Sequence, residues 1–349
     1  MRLVLQAALA AAALSIIPWI NCAIAASKSQ PLFASDDVLS LTLKAALNDM
    51  PRNRGAKPVP GLLTVGGGAP ESLPVALSVR GSLRRTSQVC AFPPLRVEFT
   101  QKPASASLFK GQTQLKLVTH CQRTEHFQQY ILLEYAAYRL YRALTPESFN
   151  VRLAKIDYVD EDGQPITSRL GFFIEDVRDV ARRNGQKRLR GVNHISISQL
   201  DPAAAARFAL FQYMISNLDW AMTASAPGED CCHNSRLVSE KGATTGLLPV
   251  PYDFDQAGLV NTPYAAPPER ISVPTVQVRR YRGFCQHNEQ AQAFAAELLP
   301  RHAELLAILD QTPQFDERTR RTAASYMGEF FDQISTPSQV DDIMKTCLR

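Results

Sequence analysis

The chain has 349 residues, and 38 lysines and arginines face 33 aspartates and glutamates, a formal net charge of +5. That surplus is mild and its basic residues are scattered without interleaved aromatics, which excludes a nucleic-acid binder. Past the first twenty residues no apolar run approaches the ~18 residues of a membrane span, so the sequence predicts no membrane span once its leader is removed.

The leader is the first element in chain order. Arg2 supplies a positive start, Leu3 to Ile17 is almost unbroken in apolar residues, Pro18-Trp19 ends the run, and Ala23-Ile24-Ala25 offers a small-x-small cleavage pattern. This is the layout of a secretory signal peptide, predicted over residues 1–25, and it places the protein in the periplasm or outside the cell. Seven cysteines occur, and Cys22 leaves with the leader. The other six, in an exported chain, read as disulfides whose connectivity the sequence does not choose. Cys231 and Cys232 are adjacent, which favours two separate partners.

Residues 26–73 read as an N-terminal extension. They hold a short apolar-periodic piece, Val38 to Leu47, and a Pro- and Gly-rich stretch with Gly66-Gly67-Gly68. Strand patterns follow at Pro74 to Val79, Leu95 to Phe99 and Leu115 to Val118. A helix is predicted from Gln128 to Leu144, then strands at Val151 to Val159 and Leu170 to Ile174. Asp201 and Pro202 carry an N-cap and N1 signature that opens a helix running to Ser216. Further helices are predicted at 287–310, 315–334 and 337–347, the last opened by Thr336-Pro337. Together these elements predict an α+β chain, with a β-rich part over 74–180 carrying one long helix and a mainly helical part over 181–349.

Four groups of residues suit chemistry. Lys116 alternates with Leu115 and Leu117 in its strand. Glu134 shares a helix face with Tyr130, Ile131, Ala137, Tyr138 and Tyr141. A carboxylate among aromatics is costly unless paired, and Lys116 is the partner expected. Asp219, in Asn217-Leu218-Asp219-Trp220, stands where a chain leaves a helix, a rigid seat for a catalytic carboxylate. Asp253 and Asp255 flank Phe254 on a segment predicted to be extended, so both carboxylates point one way, an oxygen-rich pair of the kind Mg²⁺ or Mn²⁺ prefers. Asn234, in Cys231-Cys232-His233-Asn234, adds a neutral oxygen; the same tetrapeptide with His120-Cys121 is an alternative zinc set. Two basic runs, Arg182, Arg183, Lys187, Arg188, Arg190 and Arg279, Arg280, Arg282, could greet an anion, but read first as solvated faces.

Taken in order, Arg80-Gly81, Lys116, Glu134, Gly171-Phe172-Phe173-Ile174-Glu175, Asn217-x-Asp219-Trp220, Asn234 and Asp253-Phe254-Asp255 resemble the spore-coat CotH family of atypical secretory kinases, over roughly residues 74 to 262. The chain also looks like exported bacterial proteins that carry Cys-Cys-His-Asn and Pro-Tyr-Asp-Phe-Asp. The CotH resemblance implies a bilobal protein-kinase-like fold and a phosphotransferase using Mg²⁺ or Mn²⁺ with ATP or another nucleotide, acting on a protein or small-molecule acceptor. It implies that Lys116 meets phosphates under the direction of Glu134, that the Arg80-Gly81 turn covers them, and that Glu175 sits near the base. Asp219 is then the catalytic carboxylate, and Asn234, Asp253 and Asp255 hold metal. The competing expectations are a catalytically inactive, disulfide-stapled binding or assembly module, and a metal-dependent hydrolase built on Asp253 and Asp255.

Overall fold

The computed structural model describes residues 29–48, 50, 57–67 and 70–349; the leader predicted over 1–25 lies outside the described residues. Strand Leu39–Ala45 (β1) buries Leu39, Leu41, Leu43 and Ala45, the period of two that a strand with one inward face requires. Val59–Val65 (β2), Glu71–Val79 (β3), Leu95–Phe99 (β4) and Gln114–Val118 (β5) follow as successive antiparallel neighbours. After helix Phe127–Leu144 (α1) come Val151–Val159 (β6) and Pro165–Ile174 (β7). β7 pairs with both β5 and β6, and β6 runs parallel to β1 with Leu41 opposite Ile156. That last pairing closes the sheet into a barrel of order β1-β2-β3-β4-β5-β7-β6. Gly171 is required where β7 passes β5, because a Cβ there would lie 2.6 Å from the Val118 carbonyl oxygen.

This corrects two expectations. The bilobal kinase-like fold is not what the chain adopts, since its first seven strands form a closed barrel and not an open sheet forming one lobe. Within the stretch read as an N-terminal extension, β1 and β2 are instead two staves of the barrel, and β1 covers the edge of β6 that β7 leaves open.

The second half begins with Val177–Arg183 (α2) and Lys187–Arg188 (β8). Pro202–Met214 (α3) opens as predicted, with the Asp201 carboxylate accepting from Ala204 N at 2.8 Å and proline at the first turn. Ser235–Ser239 (β9) and Leu248–Pro251 (β10) complete a three-stranded sheet, β10-β9-β8. The predicted helix 287–310 is two, Asn288–Leu298 (α4) and His302–Asp310 (α5), split by a 3₁₀ turn around Pro300, which has no N–H to continue the ladder. Glu317–Gln333 (α6) and Pro337–Met344 (α7) follow.

There are two main cores. One fills the barrel with Leu43, Leu77, Leu95, Val97, Phe109, Tyr158 and Phe173. The other runs unbroken from the barrel's outer face at Leu153 and Phe172, through α1 and α3, to Met344 of α7. Cys90 bonds Cys121 and Cys285 bonds Cys347, which leaves Cys231 and Cys232 to bond each other, against the expectation of separate partners. Among the described residues no helix is long and apolar enough to cross a membrane.

Candidate active site

Three connections meet in one small cleft: the turn after β3, the exit of α3 and the exit of β10. Arg80 to Arg84, Asp219, His233, Asn234, Asp253, Asp255 and Gln256 line it.

Asp219 is set by the way α3 ends. Ser216 turns left-handed, with φ 50°, and the Asn217 side chain then accepts from Asp219 N at 3.1 Å. Trp220 locks the turn by packing edge-on against Phe208 of α3 and donating its indole N–H to Asn217 O at 2.8 Å. Arg282, from the basic run 279–282, stacks on Trp220 and donates to the carbonyls of Leu218 and Trp220, so its work is to hold this turn. The carboxylate receives His233 Nε2 at 2.7 Å, Asn234 Nδ2 at 2.9 Å and Gln256 Nε2 at 3.2 Å. Its hydrogen bond to Asp219 pushes the His233 imidazole above its ordinary pKa.

Asn234 lies fifteen residues beyond Asp219, yet the loop doubles back. Ala221 N donates to His233 O and His233 N to Ala224 O, both at 2.9 Å. The buried Cys231–Cys232 pair sits at the foot of this hairpin. Asn234 takes a left-handed conformation, φ 49°, and Asp253 another at φ 66°. Non-glycine residues held there cost free energy and persist where the surroundings dictate them.

Asp253 and Asp255 do converge, but not on an extended segment. Asp253 bends the chain left-handed, and Tyr252 N before it donates to Asn234 O at 3.1 Å. Phe254 is fully buried between Tyr138 and Phe211, worth about 1.5–3 kcal/mol of apolar burial, and this anchor fixes the carboxylates on either side. What they converge on is Arg84. Its buried guanidinium reaches Asp253 Oδ1 at 2.7 Å, Asp255 Oδ2 at 3.1 Å and Glu134 Oε2 at 2.8 Å. Burial pushes the Asp255 carboxyl up to about 7, with Arg84 opposing and the charges of Asp253 and Glu134 adding. Burial raises Glu134 too. It works the same way on Asp253, but Arg84, Arg80 and Lys116 outweigh it and hold that carboxyl low.

Lys116 is therefore not the partner of Glu134. Its ammonium lies 4.7 Å from the centre of the Tyr252 ring, a ring it shares with Arg236 at 4.6 Å, in an adjoining hollow with Ile174 and Asp176. Burial, then the charges of Arg80 and Arg236, push Lys116 down to about 7. Glu175 is not brought to the cleft: it is buried against Asn150 N and Arg183. The structure thus gathers Arg80, Asp219, Asn234, Asp253 and Asp255, keeps Glu134 one guanidinium away and Lys116 beside them, and leaves Glu175 out. Arg84 was missed by sequence reasoning. The signal was the unpaired glutamate of α1, but nothing local distinguishes Arg84 from Arg85 or Lys116.

The donor set is tested by which oxygens stay free. Among the described residues Asn234 Oδ1 and Asp253 Oδ2 have no hydrogen-bond partner, and the Asp253 side chain is 32% exposed. One neutral and one anionic oxygen suit a hard cation that keeps several waters, as Mg²⁺ does. No cluster of three His, Cys, Asp or Glu able to hold a metal occurs among the described residues. The zinc alternative loses its thiolates, because Cys121, Cys231 and Cys232 are all in disulfides. The cleft's volume, about 50 Å³, admits a cation with water or a single phosphoryl group. That is well below the ~300 Å³ at which whole-ligand pockets begin.

No family profile matches the chain, and no curated protein does. The CotH resemblance therefore rests on its motifs alone. Among solved structures the chain is similar to the Helicobacter pylori proinflammatory kinase CtkA, at 8% identity and a TM-score of 0.40, over 72% of this chain and 92% of that one.

Proposed function

We propose that the cleft transfers a phosphoryl group from a nucleotide to the hydroxyl of a protein or small-molecule acceptor, outside the cytoplasm. The observation that carries this is the meeting of Asp219, Asn234 and Asp253, from three separate stretches of chain, around a space the size of one phosphoryl group. Asn234 Oδ1 and Asp253 Oδ2 would hold Mg²⁺ or Mn²⁺, which when bound supplies neutralisation of phosphate charge. Arg80 faces the same space, and Lys116 lies beside it, where a bound phosphate would favour its protonated form. Asp219, 26% exposed and fixed by His233, Asn234 and Gln256, orients the acceptor hydroxyl. The acceptor oxygen forms the new bond to phosphorus, the bond to the leaving phosphate oxygen breaks, and the hydroxyl proton passes to Asp219. Three disulfides fit an oxidising compartment, and the leader over 1–25 would deliver the chain to the periplasm or beyond.

The test is nucleotide turnover by the purified protein with Mg²⁺ or Mn²⁺. Asp219→Asn is expected to slow it by roughly 100-fold or more, with the variant still folded by circular dichroism. Turnover that persists in Asp219→Asn sinks the assignment. Release of free phosphate without any labelled acceptor makes water the acceptor and the protein a hydrolase.

One observation favours a second reading. Arg84 already supplies a positive charge to Asp253 and Asp255, as a cation would. If that pairing is permanent, the carboxylates are an internal polar network and the protein is a disulfide-stapled binding or assembly module. Nucleotide with metal would then leave the melting temperature where it was.

A further inference from the structure

The basic run 182–190 is not absorbed by the cleft. It forms a hollow of about 420 Å³, between α2, β8 and the connection that leads into β5. One wall carries Arg178 and Arg182, the other Lys187, Arg188 and Arg190, and Asp179 contributes the one carboxylate of the lining. Ala181 is the one aliphatic residue of its lining, and charged and amide side chains supply most of the rest.

Neighbouring carboxylates do not cancel this charge. Arg178 pairs with Asp176, Arg182 with Asp179 and Arg188 with Asp230, each at 2.8–2.9 Å. Lys187 and Arg190 are exposed and have no ion pair among the described residues. Arg188 Nε is buried with no hydrogen-bond partner among the described residues, which is costly for a charged fork in low dielectric. Burial, then the charges of Arg236 and Arg190, lower the Arg188 pKa, as expected where cations crowd without enough anions. Lys187 and Arg190 on one side, with the guanidinium nitrogens that Arg178 and Arg182 do not give to Asp176 and Asp179 on the other, suit a ligand with more than one anionic group.

We infer that this hollow is a binding site for a compact multivalent oxyanion, with one anionic group against Arg178 and Arg182 and another against Lys187 and Arg190. The inference stands apart from the phosphotransfer reading, because none of these residues lines the cleft. Its test is calorimetric titration of the purified protein with inorganic tripolyphosphate, without metal, at about 150 mM salt, where exposed charges are screened beyond ~8 Å. The paired substitution Lys187→Gln with Arg190→Gln touches no ion pair and is expected to weaken binding roughly tenfold or more. Asp253→Asn in the cleft and Arg270→Gln, an exposed residue outside the hollow's lining, are expected to leave it unchanged. Citrate as a second titrant separates the sources: citrate as tight as tripolyphosphate supports any multivalent oxyanion, and weaker citrate supports phosphates. No binding of tripolyphosphate at millimolar concentration overturns the proposal. So does equal loss in Arg270→Gln, which would mark attraction by net charge alone.

Discussion

Arg84 spends every guanidinium nitrogen on a carboxylate, and it does so inside the protein. Removing one member of such a cluster leaves charges buried and uncompensated, at about 3–5 kcal/mol. Arg84→Met is therefore expected to lower unfolding free energy by that amount near neutral pH, measured by denaturant titration. The pH dependence has a definite sign. Without Arg84, burial and mutual repulsion raise Glu134, Asp253 and Asp255 above their unfolded values, so the native state binds more protons and the variant regains stability as pH falls toward about 5. A variant as stable as the parent at pH 7.5 would show that the cluster is not a unit. At this scale the sequence was half legible. A carboxylate on the aromatic face of α1 announced that it needed a cation, and Asp219, Asn234 and Asp253 announced themselves by type. Which cation answered Glu134 depended on a turn after β3 folding inward, and neither propensity nor spacing in Ser82-Leu83-Arg84-Arg85 records that.

That turn is carried by the β3–β4 connection, which the Cys90–Cys121 bond clips to the chain leaving β5, with Phe92 N donating to Cys121 O at 2.8 Å. The bond closes a loop with a sequence separation of 31. Chain-entropy arguments assign about 3–4 kcal/mol to a loop of this length. Cys90→Ser with Cys121→Ser is expected to lose that much in a denaturant titration, and a loss under about 1 kcal/mol would mean that packing alone already holds the connection. Elements themselves were largely readable. Alternation located β4, β5 and β6, and cap chemistry located α3 and α7 at Asp201 and Thr336. β1 alternates as regularly as any of them, yet its place in a barrel does not show in that alternation. Its meaning lies in a parallel partner, β6, more than a hundred residues onward, and such a pairing leaves no trace in a local window.

Across the whole molecule, the barrel and the helical layer share a continuous packed surface, and the cleft sits where loops from both emerge. Barrel closure was not legible because it hangs on that one distant pairing; each site motif carried its own local reason to present a polar side chain, but their meeting in one cleft depends on the same long-range packing. In the proposed transfer Asn234 and Asp253 would present oxygens to a divalent cation in front of Asp219. Titration of the purified protein with Mn²⁺, followed by electron paramagnetic resonance, tests it most directly. About one Mn²⁺ per chain is expected, held mainly by water and phosphate oxygens beyond the two protein ligands and so bound more tightly with nucleotide present. That binding is expected to vanish in Asp253→Asn and in Asn234→Leu, each still folded by circular dichroism. Mn²⁺ binding that both substitutions leave intact, or none at millimolar metal with nucleotide, would contradict it.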